Sequence, residues 1–215
     1  MTRVGQSDTT VTHAQAREIV RRAWQLVHGR SPTDRELAYT QSIALLETSY
    51  GRTPQFLPWV AEGQYNWGAL QRGRLPDGTC PPGTRAGTDA GNLRCFFVFG
   101  SDLEAARRYI WALTANPSFP ARNREVLAAM NEGSSLDVAT AMKTRSPTSA
   151  WFEKSVEAYA KDIQAGLRMI RSPLALTDVP AGVSPPWAFI LALALGGGAY
   201  WWLSQSYKPA RSGRR

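Results

Sequence analysis

A chain of 215 residues, 43% hydrophobic and 20% charged, can bury one core of ordinary size and carry an appendage, which excludes an intrinsically disordered polymer. Its net charge of +8 points to a polyanionic partner: nucleic acid, anionic lipid or a bacterial wall. Lys208, Arg211, Arg214 and Arg215 crowd the last eight residues, however, and no basic run or recognisable DNA-binding module marks the rest, so no specific nucleic acid is expected.

Residues 1–12 are polar and lack the apolar stretch of a cleavable signal peptide. Residues 13–171 read as one mostly helical domain. Ile19, Ala23, Leu26 and Val27 recur at helical spacing and predict a first helix that stops at Gly29. Thr33 followed by Glu36 is a capping box that opens a second helix, ending near Gly51. Residues 72–95 are rich in Gly and Pro without helical period and predict a loop or small β-hairpin lobe. Cys80 and Cys95 lie in this stretch, and an even pair closing a short loop suits a disulfide in an oxidising location. They have no CxxC spacing and no His nearby, so no metal site is expected. Ser101 with Glu104 opens a helix to about Ala115, and further helices are predicted over Arg122–Asn131, Leu136–Lys143 and Trp151–Ile170.

Residues 172–186 hold four prolines and read as a linker. Val179 to Tyr207 contains no charge, and Trp187 to Leu203 runs WAFILALALGGGAYWWL. A helix over 187–205 would be roughly 30 Å long, enough to cross a bilayer's hydrocarbon. Trp187 at one end and Tyr200, Trp201 and Trp202 at the other match interfacial aromatic belts. The basic tail, 206–215, favours the cytoplasmic side, which puts the main domain on the non-cytoplasmic face, or on one face of a membrane within a virus particle.

The chemistry concentrates in Ser42–Gln71, SIALLETSYGRTPQFLPWVAEGQYNWGALQ. Glu47 falls near the end of the second helix, four residues after Ile43 and three after Ala44, on their apolar face. Partial desolvation there favours the protonated carboxyl that a glycosidic oxygen needs as donor. Gln64-Tyr65-Asn66-Trp67-Gly68-Ala69 follows, offering an aromatic face for a sugar ring, an amide for an N-acetyl group and a glycine for close approach.

The run ALLETSYG…YNWGALQ resembles the glucosaminidase-type branch of the lysozyme-like superfamily, in which a Leu-Glu helix end leading to an aromatic-Gly pair precedes an Asn-aromatic-Gly turn. Phe96–Phe99, the helix after it, the helix over 126–131 and a last helix with Tyr159 agree in order. The resemblance spans roughly 13–171 and implies a two-lobed, mainly α, lysozyme-like domain that cleaves the β-1,4 bonds of peptidoglycan strands without cofactor. It carries the general-acid role to Glu47 and sugar contacts to Asn66 and Trp67, and Tyr159 sits where the family often has a functional Tyr. The glycan is expected to lie against Trp67 and Tyr50, with Tyr159 also among the expected substrate-binding residues; the family's Tyr-rich pattern is absent around Trp151 and Phe152. A second carboxylate would come from Asp77, Asp89 or Glu62, whereas lytic transglycosylases in the family need one Glu only. Two settings fit a tail-anchored wall-cleaving domain: a phage particle with a membrane, or a bacterial envelope. The alternative is a non-enzymatic, membrane-anchored scaffold that binds glycan.

Overall fold

A computed structural model describes residues 10–89, 92–143 and 154–174, all within a first unit, Met1–Val179. The second unit, Pro180–Arg215, with the expected membrane span and basic tail, lies outside the described residues, as do residues 1–9 and most of the linker. Among the described residues no helix is long and apolar enough to cross a membrane.

Capping chemistry sets the helix starts. α1 (His13–His28) opens with Thr12, whose hydroxyl accepts from the Gln15 amide while the Gln15 side chain returns to the Thr12 amide, and it stops at Gly29 in the left-handed region, φ 68°. The face it buries is Ala16, Val20, Ala23 and Trp24. Leu26, expected on that face, points to solvent at 59% exposure; Trp24 takes the place inward because Ala16, Val20 and Ala23 lie above it on the same stripe.

α2 (Asp34–Thr48) is capped by the Thr33–Glu36 box. Every residue from Glu36 to Leu45 is buried, and α1, α5 (Pro120–Glu132) and α7 (Val156–Met169) pack around it, so α2 is the central helix. α4 (Asp102–Thr114) begins at Ser101, whose side chain accepts from the Glu104 amide, and lies on α1; α6 (Ser135–Lys143) fills the gap between α5 and α7. The main core runs through these helices, with Trp24, Tyr39, Ile43, Tyr109, Leu113 and Met130 among its fully buried members.

The smaller part is built on an antiparallel sheet in the order β1-β3-β2, with β1 Gln71–Arg72, β2 Thr84–Asp89 and β3 Asn92–Phe97. Phe96 of β3 packs with Phe56 and with Trp59 of the short helix α3 (Leu57–Ala61) into a second, aromatic core. Phe96 lies over Gly87 of β2, where a Cβ would come within 2.9 Å of the ring. Cys80 and Cys95 are joined by a disulfide, Cα–Cα 5.4 Å, which ties the β1–β2 loop to the central strand. The chain is thus mainly helical with a small sheet.

Candidate active site at the end of helix α2

Glu47 is half-buried in the last turn of α2, on the face that meets α7. The Tyr159 hydroxyl, from the first turn of α7, donates to its Oε1. The two helices approach closely because Gly166 of α7 faces Ser42 of α2: a Cβ on Gly166 would stand 2.3 Å from Ser42 Oγ. The Ser42 hydroxyl donates to the Ile163 carbonyl at 2.7 Å, which fixes the sliding position of the pair. Tyr159, Ile163 and Gly166 lie at i, i+4 and i+7, so the residues that set the approach also present the tyrosine.

Two buried tyrosines feel the Glu47 charge. Burial first, then Glu47, raise the Tyr159 phenol well above its usual value, and the same two causes act on Tyr109 of α4. Both phenols therefore stay protonated as donors. Tyr109 was not singled out in the sequence; its position at i+4 from Ala105 and i−4 from Leu113 reads as simple core spacing.

The chain after Glu47 is fastened by the next residue. The Thr48 hydroxyl accepts from the Gly51 amide at 2.8 Å and donates to the Trp67 carbonyl at 2.6 Å. Ser49, Tyr50 and Gly51 all adopt positive φ, 49°, 58° and 79°, so the helix ends in a tight left-handed turn. Gly51 lies on the Asn66 carbonyl, 2.9 Å from where a Cβ would be, and no other residue fits there. Gly68 lies under the Tyr109 ring, 2.4 Å from its would-be Cβ. The LETSYG and NWG segments are therefore one interlocked unit, which explains in physical terms why they occur together.

This interlocking alters the part assigned to the sugar-contact candidates. Asn66 is buried: its amide donates to the Leu70 and Phe97 carbonyls and its Oδ1 accepts from the Gly68 and Leu70 amides, so it builds the turn. Trp67 is buried, packs against Tyr50 with centroids 5.3 Å apart and the rings tilted by 40°, and donates from Nε1 to Asp102 at 2.6 Å. Asp102 also pairs with Arg52, which bonds the Tyr50 carbonyl in turn. Tyr50 is buried, with its hydroxyl 3.0 Å from His13 Nδ1 and accepting from Gln41 at 3.4 Å; burial pushes its phenol up to about 12. Tyr50, Asn66 and Trp67 have no face open for a sugar in this arrangement, because all three are buried, with Asn66 spent on backbone, Trp67 on Asp102 and Tyr50 on His13 and Gln41. Their part is to hold the end of α2.

Among the second-carboxylate candidates, Glu62 pairs with Arg85 of β2 at 2.5 Å, which holds its carboxyl below the usual range. Asp77 is closed into its own turn by the Thr79 amide and hydroxyl, at 2.9 and 2.7 Å, and is lowered by those bonds. Asp89 ends β2, paired with Asn92; its side chain lies outside the description. Among the described residues no cluster of His, Cys, Asp and Glu is arranged to hold a metal ion.

No protein-family model matches this chain, and neither a curated protein nor a solved structure matches it.

Proposed function

We propose that the chain is a peptidoglycan-cleaving enzyme of lysozyme-like type, with Glu47 as its general acid. The observation that carries this reading is the Tyr159–Glu47 hydrogen bond at the end of a buried central helix whose next turn is locked by two glycines. Such a carboxyl is fixed in place before substrate arrives. Tyr159 engages Oε1, so in the proposed reaction Oε2 carries the proton that goes to the glycosidic oxygen. The bond to the leaving sugar breaks as that proton arrives, and an oxocarbenium-like centre forms on the other sugar.

Capture of that centre follows one of two routes: water activated by a second carboxylate, or the sugar's own hydroxyl. Of the described candidates, Glu62 is paired with Arg85 and Asp77 Oδ1 is held by Thr79, while Asp89's side chain lies outside the description; on the described pair the second route, that of a lytic transglycosylase, is favoured. Tethering by the 187–205 segment would hold the domain at an envelope or in a phage particle membrane, and its net charge of +8 would favour an anionic wall.

The test takes the full chain and its Glu47→Gln variant, solubilised in mild detergent, and incubates each with purified peptidoglycan sacculi. Mass spectrometry of released fragments is expected to show 1,6-anhydro ends from the parent and none from the variant. Reducing ends would assign hydrolysis instead. Absence of fragments from both proteins, with binding to sacculi retained, would overturn the enzyme in favour of the glycan-binding scaffold.

A further inference from the structure

The disulfide sits at one end of a continuous chain of contacts that reaches Glu47. Cys95 is fully buried in the central strand, with Arg72 of β1 and Ala86 of β2 as its register partners. Cys80 belongs to the β1–β2 loop, in which residues 73–79 are exposed. Past Cys80 the loop is held at Pro81, which is buried, and at Gly83, whose carbonyl accepts from the Val98 amide at 3.1 Å. Before Cys80 its bonds are local, with Leu75 to Thr79 and Gly78 to Leu75 closing a tight turn and Thr79 donating to Asp77. Arg74 donates to the Leu93 carbonyl at 3.2 Å, at the surface. With Leu75 41% exposed, no buried side chain between 73 and 79 anchors this segment, so the covalent bond to Cys95 is its main attachment.

Two residues beyond Cys95, the Phe97 amide donates to the Leu70 carbonyl and the Phe97 carbonyl accepts from Asn66 Nδ2. Asn66 shapes the turn whose Trp67 carbonyl accepts from Thr48, the neighbour of Glu47. Phe96, between Cys95 and Phe97, fills the aromatic core with Phe56 and Trp59. A shift of β3 at Cys95 is therefore passed through the part-buried Asn66–Phe97 bond and the buried Thr48–Trp67 bond to the end of α2.

We propose that the Cys80–Cys95 disulfide is a redox lock on the Glu47 site. Oxidised, it pins the 73–80 segment and holds β3 and the Asn66–Gly68 turn in register. A dithiol reductant opens it: the S–S bond breaks, each sulfur leaves as a thiol with one proton, and the two electrons come from the reductant, which becomes a disulfide. The site then loosens. Protein in a reducing compartment is held inactive and acquires its geometry on reaching an oxidising one. The effect on activity rests on the glycan-cleaving reading above; the effect on geometry does not.

The test compares the full chain oxidised, treated with dithiothreitol, and as the Cys80→Ser variant, which spares the buried Cys95. Three readouts are taken: tryptic cleavage after Arg74, hydrogen exchange in 48–52 and 66–70, and fragment release from sacculi. Reduction is expected to speed cleavage after Arg74 by about tenfold or more, because the segment between β1 and Cys80 loses its covalent hold on β3. Exchange in both segments is expected to accelerate, and fragment release to fall at least tenfold, with recovery on reoxidation of the parent but not of the variant. Faster cleavage after Arg74 with unchanged exchange in 48–52 and 66–70 would overturn the lock. So would fragment release that is measurable and equal in both redox states. A lack of fragments from the oxidised parent overturns the enzyme reading alone, and the exchange result then decides the lock.

Discussion

At Glu47, the proposed acid, the Tyr159 hydroxyl holds one carboxyl oxygen. Tyr159 is 4% exposed and donates to Oε1, so replacing it with Phe keeps the ring's packing and removes that bond. A hydrogen bond to a charged or reacting group is worth about 1.5–3 kcal/mol, so Tyr159→Phe should lower fragment release roughly 10–100-fold, with the circular dichroism of the parent. The conspicuous residue types of this site were legible in the sequence, but the direction of their side chains was not. Glu47 and Tyr159 meet across 112 positions of chain, a contact that no local pattern shows. Asn66, Trp67 and Tyr50 have the chemistry of sugar ligands and use it on backbone carbonyls, Asp102 and each other. Nothing in a local pattern distinguishes an Asn that grips a ligand from one that closes a turn, since both need the same amide.

Between elements, the fit of α7 on α2 governs where Tyr159 stands. Gly166→Ala would drive a methyl into Ser42 Oγ and against Leu46, so the helices must part by some tenths of an ångström. Overpacking of that kind costs about 1–3 kcal/mol, and the displaced Tyr159 should lose activity beyond the loss of stability; a thermal melt beside the sacculus assay separates the two. The left-handed cap of α2 gives a change of opposite sign. Ser49 is exposed with φ 49°, a region that disfavours a Cβ, so Ser49→Gly should stabilise by up to about 1 kcal/mol in denaturant titration. Helix starts were legible because capping side chains are local: Thr33 with Glu36 and Ser101 with Glu104 open α2 and α4 as read. The five-residue α3 and two-residue β1 are too short to show a period, and both exist through contacts made elsewhere, Trp59 on Phe96 and Gln71 beside Phe96. On α1 the expected face holds at Ile19, Ala23 and Val27, and only Leu26 gives way to Trp24, a choice that the packed neighbours make.

For the molecule as a whole, acid stability turns on one carboxylate far from the site. Glu36 is fully buried at the junction of α1, α2 and α5, where it accepts from Arg30 at 2.6 and 2.7 Å, from Asn131 at 3.0 Å and from the Thr33 amide at 2.8 Å. Burial alone would raise this carboxyl, but the Arg30, Asn131 and Thr33 bonds overcome it and hold it at about 2, against an ordinary 4.5. A group depressed in the folded state contributes stability above its unfolded value and loses it as pH falls through the folded one. The contribution is thus complete above pH 5, declines from about pH 4.5, and is gone near pH 2. Arg30 is 48% exposed, so solvent screens part of the pair and the contribution comes to about 2 kcal/mol. Glu36→Gln keeps the shape and the cap but leaves Arg30 unmatched. The variant should lose about 2 kcal/mol at pH 7, measured by urea titration, and the difference from the parent should shrink steadily as the titration is repeated from pH 5 down to pH 2.5. A difference that stays constant across that range would assign the stabilisation to packing around the side chain and not to its charge.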